Sequence, residues 1–390
     1  MTRLLIVSTS RADVGILSPV WNYLAHSAKT EVHVLLTGMH MKDDAFARSH
    51  LPSDVSVHKF GVDLMGTDAV TAARNMGGIA QDCAELYESL DPSLILLTGD
   101  RMDMFPAAMA STPFNIPLAH LHGGEVTLGA IDERLRHAIT KMAHIHFAAT
   151  ADSAQRICRM GEEPWRIHVT GAPGLDTLRC VERMERPELM EALGFKNYVN
   201  SPLRLVGIHP ETNSSHPLAP MEAILAALDE LPELPTLFTA PNSDPGGSAM
   251  RKEIEAFVSS RPWAVFQDTL GSNLYANAFR HGAVLVGNTS SGIIEAPLFA
   301  LPFINVGSRQ EGRLQSDTAT NCSNDSDMIK TAISRILGLP RVDDEQGRSP
   351  YGDGRSAQRI ARVLETLPSR ENLTYKGFWS EDAEFTNPWE

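Results

Sequence analysis

Short apolar runs alternate with segments of helical periodicity along the first half of the chain. Runs of this length are typical of buried parallel strands, and the longer segments with apolar residues at helical spacing predict helices. The predicted strands are 4–8, 32–36, 94–98, 116–121 and 146–149. The predicted helices are 67–90 and 132–143, with further helix starts after the first strand and at 105–111. Strands that alternate with helices predict a parallel sheet covered on both faces.

The alternation stops after residue 176 and restarts near residue 203. The intervening segment 186–202 is polar and broken by prolines, so we interpret it as a linker. The second set of predicted strands is 203–208, 236–240, 264–266, 283–286 and 302–306. The second set of predicted helices is 221–229, 248–258, 272–280, one from 290, 327–337 and 355–367. The pattern predicts an α/β protein with two Rossmann-like domains, 1–185 and 203–353, that face each other across a cleft. The tail 368–390 carries aromatic residues among charges, which is compatible with a docked or a disordered segment.

Composition narrows the class of protein. A chain of 390 residues is too long for one hydrophobic core, which supports two domains. The net charge of −14 argues against nucleic acid as a partner, because phosphate backbones attract basic surfaces. The four cysteines are widely separated, which indicates neither a zinc site nor a disulfide framework. Without a signal-peptide pattern or an apolar run long enough to span a bilayer, we expect a cytoplasmic protein with no membrane partner.

Polar side chains follow the predicted strands of the first domain. Asp100 and Arg101 come after strand 94–98, and His122 and Glu125 come after strand 116–121. Asp132 stands at the start of the next predicted helix. Ligands of open α/β sheets bind beyond the carboxyl ends of the strands, so these residues are candidates for a catalytic site.

The turn after the first strand contains Arg11 and Asp13. Backbone N–H groups at the start of a helix favour an anion, and Arg11 adds a positive charge. This turn is therefore a second candidate for contacts with the ligand.

The second domain has its own candidates for binding a diphosphate. Ser290, Ser291 and Gly292 form a turn of small residues between a strand and a helix, and Glu295 could accept hydrogen bonds from ribose hydroxyls. The alternative is an ordinary N-capped helix. Arg309 and Arg313 lie in a glycine-spaced loop whose guanidinium groups suit phosphate, with surface solvation as the alternative.

His209 and Asn242 end the first two strands of the second domain, where they would line the cleft. The alternative for a single histidine at such a position is a structural role.

These motifs together resemble those of the hydrolysing UDP-N-acetylglucosamine 2-epimerases. The motifs follow one another in the family's order over roughly residues 3–367, a range that no single motif could cover. The segments that carry the resemblance are 9–13, 99–101, 120–125, the Gly-Ala-Ile-Asp-Glu run that ends at Glu133, 136–141, 209–212, 241–242, the Gly-Asn-Thr-Ser-Ser-Gly run that ends at Gly292, 307–313 and 351–355.

The resemblance implies a glycosyltransferase-B-like fold in which the C-terminal helix 354–367 crosses back to the first domain. It implies elimination of the nucleoside diphosphate from a 2-acetamido sugar nucleotide. Water then adds to the 2-acetamidoglycal with inversion at C2, which releases a free sugar of the N-acetylmannosamine type for sialic or related nonulosonic acid synthesis. The partners so implied are a UDP-sugar, with UDP or GDP as product, and further copies of the chain in a homodimer or homotetramer.

The resemblance also assigns roles to the candidate residues. Asp100 and Asp132 are candidates for the base and the acid, and the leaving diphosphate would meet Arg11, Arg101, His209, the amides of Ser290 and Ser291, and Arg309. Asp13, Asn242, Gly292, Glu295 and Arg313 complete the predicted substrate-binding set. No cofactor and no metal is required for this chemistry, although a carboxylate-bound ion stays an open alternative.

One position departs from part of the family. Some members have Glu in a His-x-Glu-Gly-Gly-Glu pattern where this chain has His122. Either His122 or Glu125 would then take that proton-transfer role. With His122 at this position, the motif resembles that of the branch that acts on UDP- or GDP-linked 2,4-diacetamido-2,4,6-trideoxy sugars in legionaminic acid synthesis.

Two other hypotheses explain the sequence less well. A non-hydrolysing 2-epimerase is expected to have a His-x-Glu-Ala-Gly pattern at this motif. A glycosyltransferase or an inactive binding protein would leave Asp100 and Asp132 without a task, because transfer of a sugar does not require proton removal at C2.

Overall fold

The computed structural model describes residues 2–62, 68–126, 132–211, 214–242 and 246–389. The chain forms two compact units. The first unit comprises Met1–Thr177 and Tyr351–Glu390, and the second comprises Leu178–Pro350.

The first unit is built on a seven-stranded parallel sheet. Its strands are β1 Thr2–Ser8, β2 Thr30–Leu36, β3 Ser56–Lys59, β4 Leu94–Thr98, β5 Leu118–Leu121, β6 Ile145–Ala148 and β7 Ile167–Val169. The spatial order is β3-β2-β1-β4-β5-β6-β7, so the order reverses between β1 and β4. A reversal of this kind opens a crevice at the carboxyl ends of the two strands, which is where Rossmann-like folds bind ligands.

Helices cover both faces of this sheet. The helices are α1 Arg11–Ala25, α2 Ala45–Arg48, α3 Ala69–Leu90, α4 Phe105–Ser111, α5 Asp132–Met142, α6 Ala151–Arg159, α7 Gly174–Arg179, α14 Ser356–Leu364 and α15 Arg370–Thr374, where α7 begins in the first unit and ends in the second. On one face Leu17 and Trp21 of α1 pack with Ile360 of α14, and on the other Ile79 of α3 packs with Ala107 of α4. The sheet therefore has a buried apolar layer on each side.

The second unit repeats this plan with six parallel strands. These are β8 Leu203–Gly207, β9 Thr236–Thr239, β10 Ala264–Gln267, β11 Gly282–Gly287, β12 Phe303–Val306 and β13 Ala319–Cys322. The spatial order is β10-β9-β8-β11-β12-β13, with its reversal between β8 and β11. Its helices are α8 Arg186–Ala192, α9 Ala219–Asp229, α10 Gly247–Ser259, α11 Gly271–His281, α12 Ser290–Ile294 and α13 Ser326–Leu337.

The two parallel α/β sheets confirm the fold class expected from the sequence, while three strands escaped prediction. All three lie at sheet edges, and β3 and β13 are only partly buried, so these two lack the apolar run that marks a central strand. The third, β7, has three residues. The segment 186–202, interpreted as a linker, contains α8, and its Leu189 and Met190 are fully buried.

The chain returns to the first unit at Tyr351, and α14 packs on α1 as the resemblance implied. The Asp176 carboxylate accepts hydrogen bonds from the amides of Ser356 at 2.9 Å and Ala357 at 2.7 Å. These contacts satisfy two of the free amides at the start of α14. The return of the C-terminal helix is therefore tied to the first unit by a specific cap.

The C-terminal tail is docked on the first unit, which decides between the two alternatives left by its composition. The amide of Trp379 donates to the Gly161 carbonyl at 3.0 Å, and Nη1 of Arg166 donates to the Leu373 carbonyl at 3.0 Å. Nζ of Lys376 lies 2.7 Å from Oε2 of Glu162, whose side chain is fully buried. Over the described parts of the chain, we find no helix with the length and apolar character needed to cross a membrane.

Candidate active site

The Asp100 carboxylate is held by an arginine that comes from α5. Asp100 follows β4 in the turn made by Gly99, whose φ of +68° is left-handed and suits glycine. Nε of Arg136 donates to Oδ2 of Asp100 at 2.9 Å, and Nη2 donates to the same oxygen. Arg136 also donates to the Glu125 carbonyl and to Glu133. The carboxylate is therefore paired with a buried positive charge.

Asp132, the first residue of α5, lies in the same cluster of charges. Burial raises the pKa of the Asp132 carboxyl, and the negative charge of Asp100 raises this pKa further. The guanidinium groups of Arg101 and Arg136 act in the opposite direction. The structure thus brings the two predicted catalytic carboxyls together, with Asp100 paired to a cation and Asp132 biased towards its protonated form.

His122 and Glu125 form a hydrogen-bonded pair beside these carboxyls. Nδ1 of His122 lies 2.7 Å from Oε1 of Glu125, and Nε2 of His122 is buried without a hydrogen-bond partner among the described residues. His122 has a φ of +62°, a strained conformation for a residue other than glycine. Burial lowers the pKa of His122, but the Glu125 carboxylate reverses this and leaves the pKa above its usual value.

The other predicted residues of the first unit contact carboxylates of the protein or the backbone. Nε of Arg101 lies 3.1 Å from Oδ1 of Asp103, and Arg11 forms an exposed ion pair with Asp43. Asp13 closes the capping box of α1, where its Oδ2 accepts from the amide of Ser10 at 2.9 Å. The position of Asp13 is therefore explained by its role in capping α1. Its contact with substrate stays a prediction.

His209 and Asn288 connect the two strand ends at the reversal of the second sheet. The amide of His209 donates to Oδ1 of Asn288 at 2.8 Å, and Nδ2 of Asn288 donates back to the His209 carbonyl at 2.9 Å. Nδ1 of His209 accepts from the amide of Asn242 at 3.0 Å. Because Nδ1 is an acceptor, the proton of the neutral ring lies on Nε2, which makes Nε2 a hydrogen-bond donor.

The predicted turn of small residues begins the short helix α12. Thr289 caps this helix, and its Oγ1 accepts from the amide of Ser291 at 3.3 Å. A Cβ atom on Gly292 would lie 2.4 Å from atoms of the Phe303 ring, so close packing on β12 requires glycine here. Ser290 is half-buried at the first position of α12.

Glu295 follows α12 and is bonded to Tyr275. The Tyr275 hydroxyl donates to Oε2 of Glu295 at 2.5 Å. Burial raises the pKa of the Glu295 carboxyl, which the hydrogen bonds from Tyr275 and Ser291 only partly offset. The carboxyl predicted to meet a ribose thus has a protein hydroxyl as its partner in this structure.

The loop after β12 is organised by a carboxylate. Oε1 of Glu211 accepts from the amides of Ser308 at 2.6 Å and Arg309 at 3.0 Å. Nη1 of Arg309 lies 3.3 Å from the Asn288 carbonyl, which brings this arginine to the end of β11. Arg313 is half-buried further along the loop.

A cavity of about 180 Å³ within the second unit opens beside these groups. His209, Thr239, Tyr275, Thr289 and Ser291 line it together with apolar side chains. A second cavity of about 320 Å³ shares Thr239 and Tyr275 and extends along the end of β10 to Gln267 and Asp268. The cavities thus follow the carboxyl ends of β8, β9 and β10.

Four of the residues that organise these sites were absent from the predicted set: Arg136, Asn288, Glu211 and Tyr275. Arg136, Asn288 and Glu211 belong to segments that carried the resemblance, so their position was a usable signal, but nothing local indicated their partners. Parts of three predicted segments, 127–131, 212 and 243–245, lie outside the described residues.

Comparison with known proteins gives one consistent result. The profile of the family described as UDP-N-acetylglucosamine 2-epimerase matches residues 22–365. A protein of Legionella pneumophila named UDP-N,N'-diacetylbacillosamine 2-epimerase (hydrolyzing) is 33% identical over 96% of this chain and 98% of its own. A Campylobacter jejuni protein named GDP/UDP-N,N'-diacetylbacillosamine 2-epimerase (hydrolyzing) is 29% identical over 80% of this chain and 82% of its own. A Neisseria meningitidis UDP-N-acetylglucosamine 2-epimerase is 26% identical over 93% of this chain and 95% of its own.

Solved structures share the fold. The S. aureus MnaA–UDP structure has a TM-score of 0.76 at 19% identity and covers 98% of this chain and 100% of that one. The structure of the N. meningitidis UDP-GlcNAc 2-epimerase bound to UDP-GlcNAc has a TM-score of 0.75 at 18% identity and covers 93% of this chain and 99% of that one.

Proposed function

Because the chain belongs to the UDP-N-acetylglucosamine 2-epimerase family, we propose that it is a hydrolysing 2-epimerase of a nucleotide-linked 2-acetamido sugar. The observation that carries this proposal is that Asp100 is ion-paired with Arg136, while burial and the charge of Asp100 raise the pKa of the Asp132 carboxyl. An ion-paired carboxylate and a second carboxyl whose pKa is raised are suited to act as a base and an acid in one site.

The proposed reaction has two stages. A base removes the proton from C2 of the sugar while the bond between C1 and the diphosphate oxygen breaks, which leaves a 2-acetamidoglycal and a nucleoside diphosphate. Water then adds its hydroxyl group to C1, and a proton is delivered to C2 on the opposite face. The product is a free sugar with inverted configuration at C2. The enzyme regains its original protonation state when the acid takes up the proton left by water and the base passes the C2 proton to solvent or to the released diphosphate.

Asp100 is the proposed base. Its ion pair with Arg136 holds the carboxylate in a fixed orientation. Asp132 is the proposed acid, because burial and the charge of Asp100 raise its pKa. His122, hydrogen-bonded to Glu125, is a further group that can hold a proton beside them.

The second unit is proposed to bind the nucleoside diphosphate. Nε2 of His209 is a donor, and Arg309 provides a guanidinium group beside the end of β11. The cavity at Tyr275 would take the nucleoside, and Glu295 would exchange its bond to Tyr275 for the ribose hydroxyls. Arg11, Arg101 and the amides of Ser290 and Ser291 remain proposed phosphate contacts.

Two sugars are candidates for the substrate. UDP-N-acetylglucosamine follows from the family, and a nucleotide-linked N,N'-diacetylbacillosamine follows from the names of the relatives that are 33% and 29% identical. Both sugars carry the 2-acetamido group next to the proton that is removed. In either case we propose that the free sugar is a precursor of a nonulosonic acid.

The test is incubation with UDP-N-acetylglucosamine, UDP-N,N'-diacetylbacillosamine and GDP-N,N'-diacetylbacillosamine in deuterated water, followed by NMR. We expect one of them to yield a nucleoside diphosphate and a free 2-epimeric sugar with deuterium at C2. Release of diphosphate without deuterium at C2 would contradict the proposed proton transfer. Reversible interconversion of intact nucleotide sugars would instead identify a non-hydrolysing epimerase.

A further inference from the structure

His120, the third residue of β5, is fully buried and has a hydrogen-bond partner at each ring nitrogen. Nε2 lies 2.7 Å from the Gly99 carbonyl oxygen, and Nδ1 lies 3.1 Å from Oγ1 of Thr140. A carbonyl can only accept a hydrogen bond, so Nε2 carries a proton. Burial lowers the pKa of His120 to about 3, so the ring is neutral and Nδ1, which faces the Thr140 hydroxyl, can only accept.

These contacts join both partners of the Asp100–Arg136 ion pair. Gly99 directly precedes Asp100, so the His120 ring holds the backbone turn that carries this carboxylate. Thr140 lies one helical turn after Arg136, and its Oγ1 donates to the Arg136 carbonyl oxygen at 2.8 Å, so the single hydroxyl proton is shared between this carbonyl and Nδ1 of His120. Contacts therefore run from Asp100 through Gly99, His120 and Thr140 to Arg136. The ion pair between Arg136 and Asp100 joins the two ends of this chain of contacts.

Gly123 supports this arrangement from a third side. A Cβ atom at this position would lie 2.9 Å from Oγ1 of Thr140 and 3.0 Å from Nδ1 of His120. Such contacts are too short for a methyl group, so the hydrogen bond between His120 and Thr140 requires glycine at position 123. The first glycine of the His-x-His-Gly-Gly-Glu motif therefore has a packing reason.

We propose that His120 and Thr140 are positioning residues, which hold the Asp100 carboxylate against Arg136 in the geometry needed to remove the C2 proton. His120 and Thr140 bond to the carbonyls of Gly99 and Arg136 and act on the Asp100 carboxylate through these two residues. Their effect on catalysis rests on the proposed function. A displacement of a reacting group by about 1 Å lowers the rate about 100-fold, so loss of one hydrogen bond has a measurable effect.

The test compares Thr140→Val with Thr30→Val. Each valine has nearly the shape of threonine and removes one buried hydroxyl of the first unit. The Thr30 hydroxyl, at the start of β2, donates to the Leu24 carbonyl at 2.6 Å and takes no part in the contacts between Gly99, His120 and Thr140. For Thr140→Val we expect kcat to fall about 10- to 100-fold, with KM and the affinity for UDP within about 2-fold of the parent. We also expect a larger primary isotope effect with substrate deuterated at C2. For Thr30→Val we expect an unchanged kcat.

Substitution of His120 provides a rescue experiment. The side-chain amide of His120→Gln can still donate to the Gly99 carbonyl, whereas His120→Leu cannot. We expect His120→Gln to retain about 10-fold more activity than His120→Leu. Equal losses in both variants would overturn the role assigned to the bond with Gly99.

A readout independent of turnover separates this inference from the proposed function. Amide hydrogen exchange of the segment 96–105 is expected to accelerate in Thr140→Val and His120→Leu but to keep the parent rate in Thr30→Val. If the parent turns over no nucleotide sugar while exchange changes in this way, the proposed function fails, and the result supports only the structural part of the inference, that His120 and Thr140 hold the turn at Asp100. If exchange of this segment is the same in Thr140→Val and Thr30→Val, the positioning role is wrong.

Discussion

Arg136 donates two hydrogen bonds, from Nε and Nη2, to the single oxygen Oδ2 of Asp100. Its Nη1 donates to the Glu125 carbonyl and to Oε2 of Glu133, so all three guanidinium nitrogens have fixed acceptors. The planar group therefore orients the Asp100 carboxylate as well as neutralising it. This relationship has direct consequences for substitutions of either carboxyl in the cluster.

Asp100→Asn is expected to lower kcat at least 1000-fold, roughly the contribution of a positioned general base, because an amide cannot accept the C2 proton. The affinity for UDP should stay within about 2-fold, since Asp100 is not among the proposed nucleotide contacts. Release of UDP in a coupled assay and calorimetric titration with UDP measure the two quantities. Asp229→Asn, which removes the exposed ion pair with Arg261, is the matched control. Near-normal turnover of Asp100→Asn would show that another group is the base.

The same substitution is expected to lower the pKa of Asp132. Burial is the first cause of the raised pKa of Asp132 and persists in the variant, whereas the second cause, the charge of Asp100, is removed. Carbon-13 NMR of the labelled Asp132 carboxyl over a pH titration measures the change. An unchanged pKa would mean that the two carboxyls are not electrostatically coupled.

Asp132→Asn is expected to stabilise the fold at neutral pH. The folded pKa of Asp132 is raised, so its favourable contribution is present at low pH and is lost as the pH rises through that pKa. A neutral amide removes this loss. Urea unfolding of the parent and the variant at pH 4 and pH 7 should show a stability difference that grows with pH. The same variant should lose activity at both pH values, because the amide cannot supply a proton.

Gly292→Ala is expected to destabilise the fold by about 1–3 kcal/mol, since its Cβ would overlap the Phe303 ring at 2.4 Å. Urea unfolding measures the change, and a second substitution Phe303→Leu should recover part of it. Gly77→Ala is the control, because a Cβ there meets no atom within 4 Å and alanine favours the helix α3. A loss of UDP affinity at unchanged stability would instead indicate direct contact of Gly292 with the nucleotide.

Lys376→Met is expected to destabilise the fold by about 3 kcal/mol at neutral pH, because the buried Glu162 loses one of its cationic partners. Although burial would raise the pKa of Glu162, bonds with His146, Lys141 and Lys376 lower this pKa to about 2. The resulting stability is present above the ordinary pKa of a glutamate and is lost as the pH falls towards 2. The variant should therefore unfold at a higher pH during acid titration.

Two further variants test whether the stability lost in Lys376→Met comes from the ion pair with Glu162. Lys29→Met removes an exposed ion pair with Glu365 at 3.7 Å and should cost less than about 1 kcal/mol. In the Glu162→Gln background, Lys376→Met should cost clearly less than it does alone. Nζ of Lys376 also donates to the carbonyls of Lys141 at 2.7 Å and Ala143 at 2.6 Å, and equal costs would mean that the lysine stabilises the tail through these bonds.

The predicted strands lie close to the observed ones where both faces of a strand are buried. In β4 and β8 every residue is buried, so the apolar run itself marks the strand. The edge strands β3 and β13 present polar residues to their surroundings and carry no such signal. The alternation of strands and helices therefore predicts that Asp100 and His209 follow the carboxyl ends of parallel strands.

The sequence by itself therefore determined the two parallel sheets and which residue types stand at the ends of their strands, because apolar runs and helical periodicity are local properties. Only the tertiary structure decided which side chains meet. Arg136 reaches Asp100 across 36 positions, Asn288 reaches His209 across 79, and Glu211 reaches Ser308 across 97. A hydrogen bond depends on the position and direction of two groups, and for distant residues these are set by strand order and helix packing.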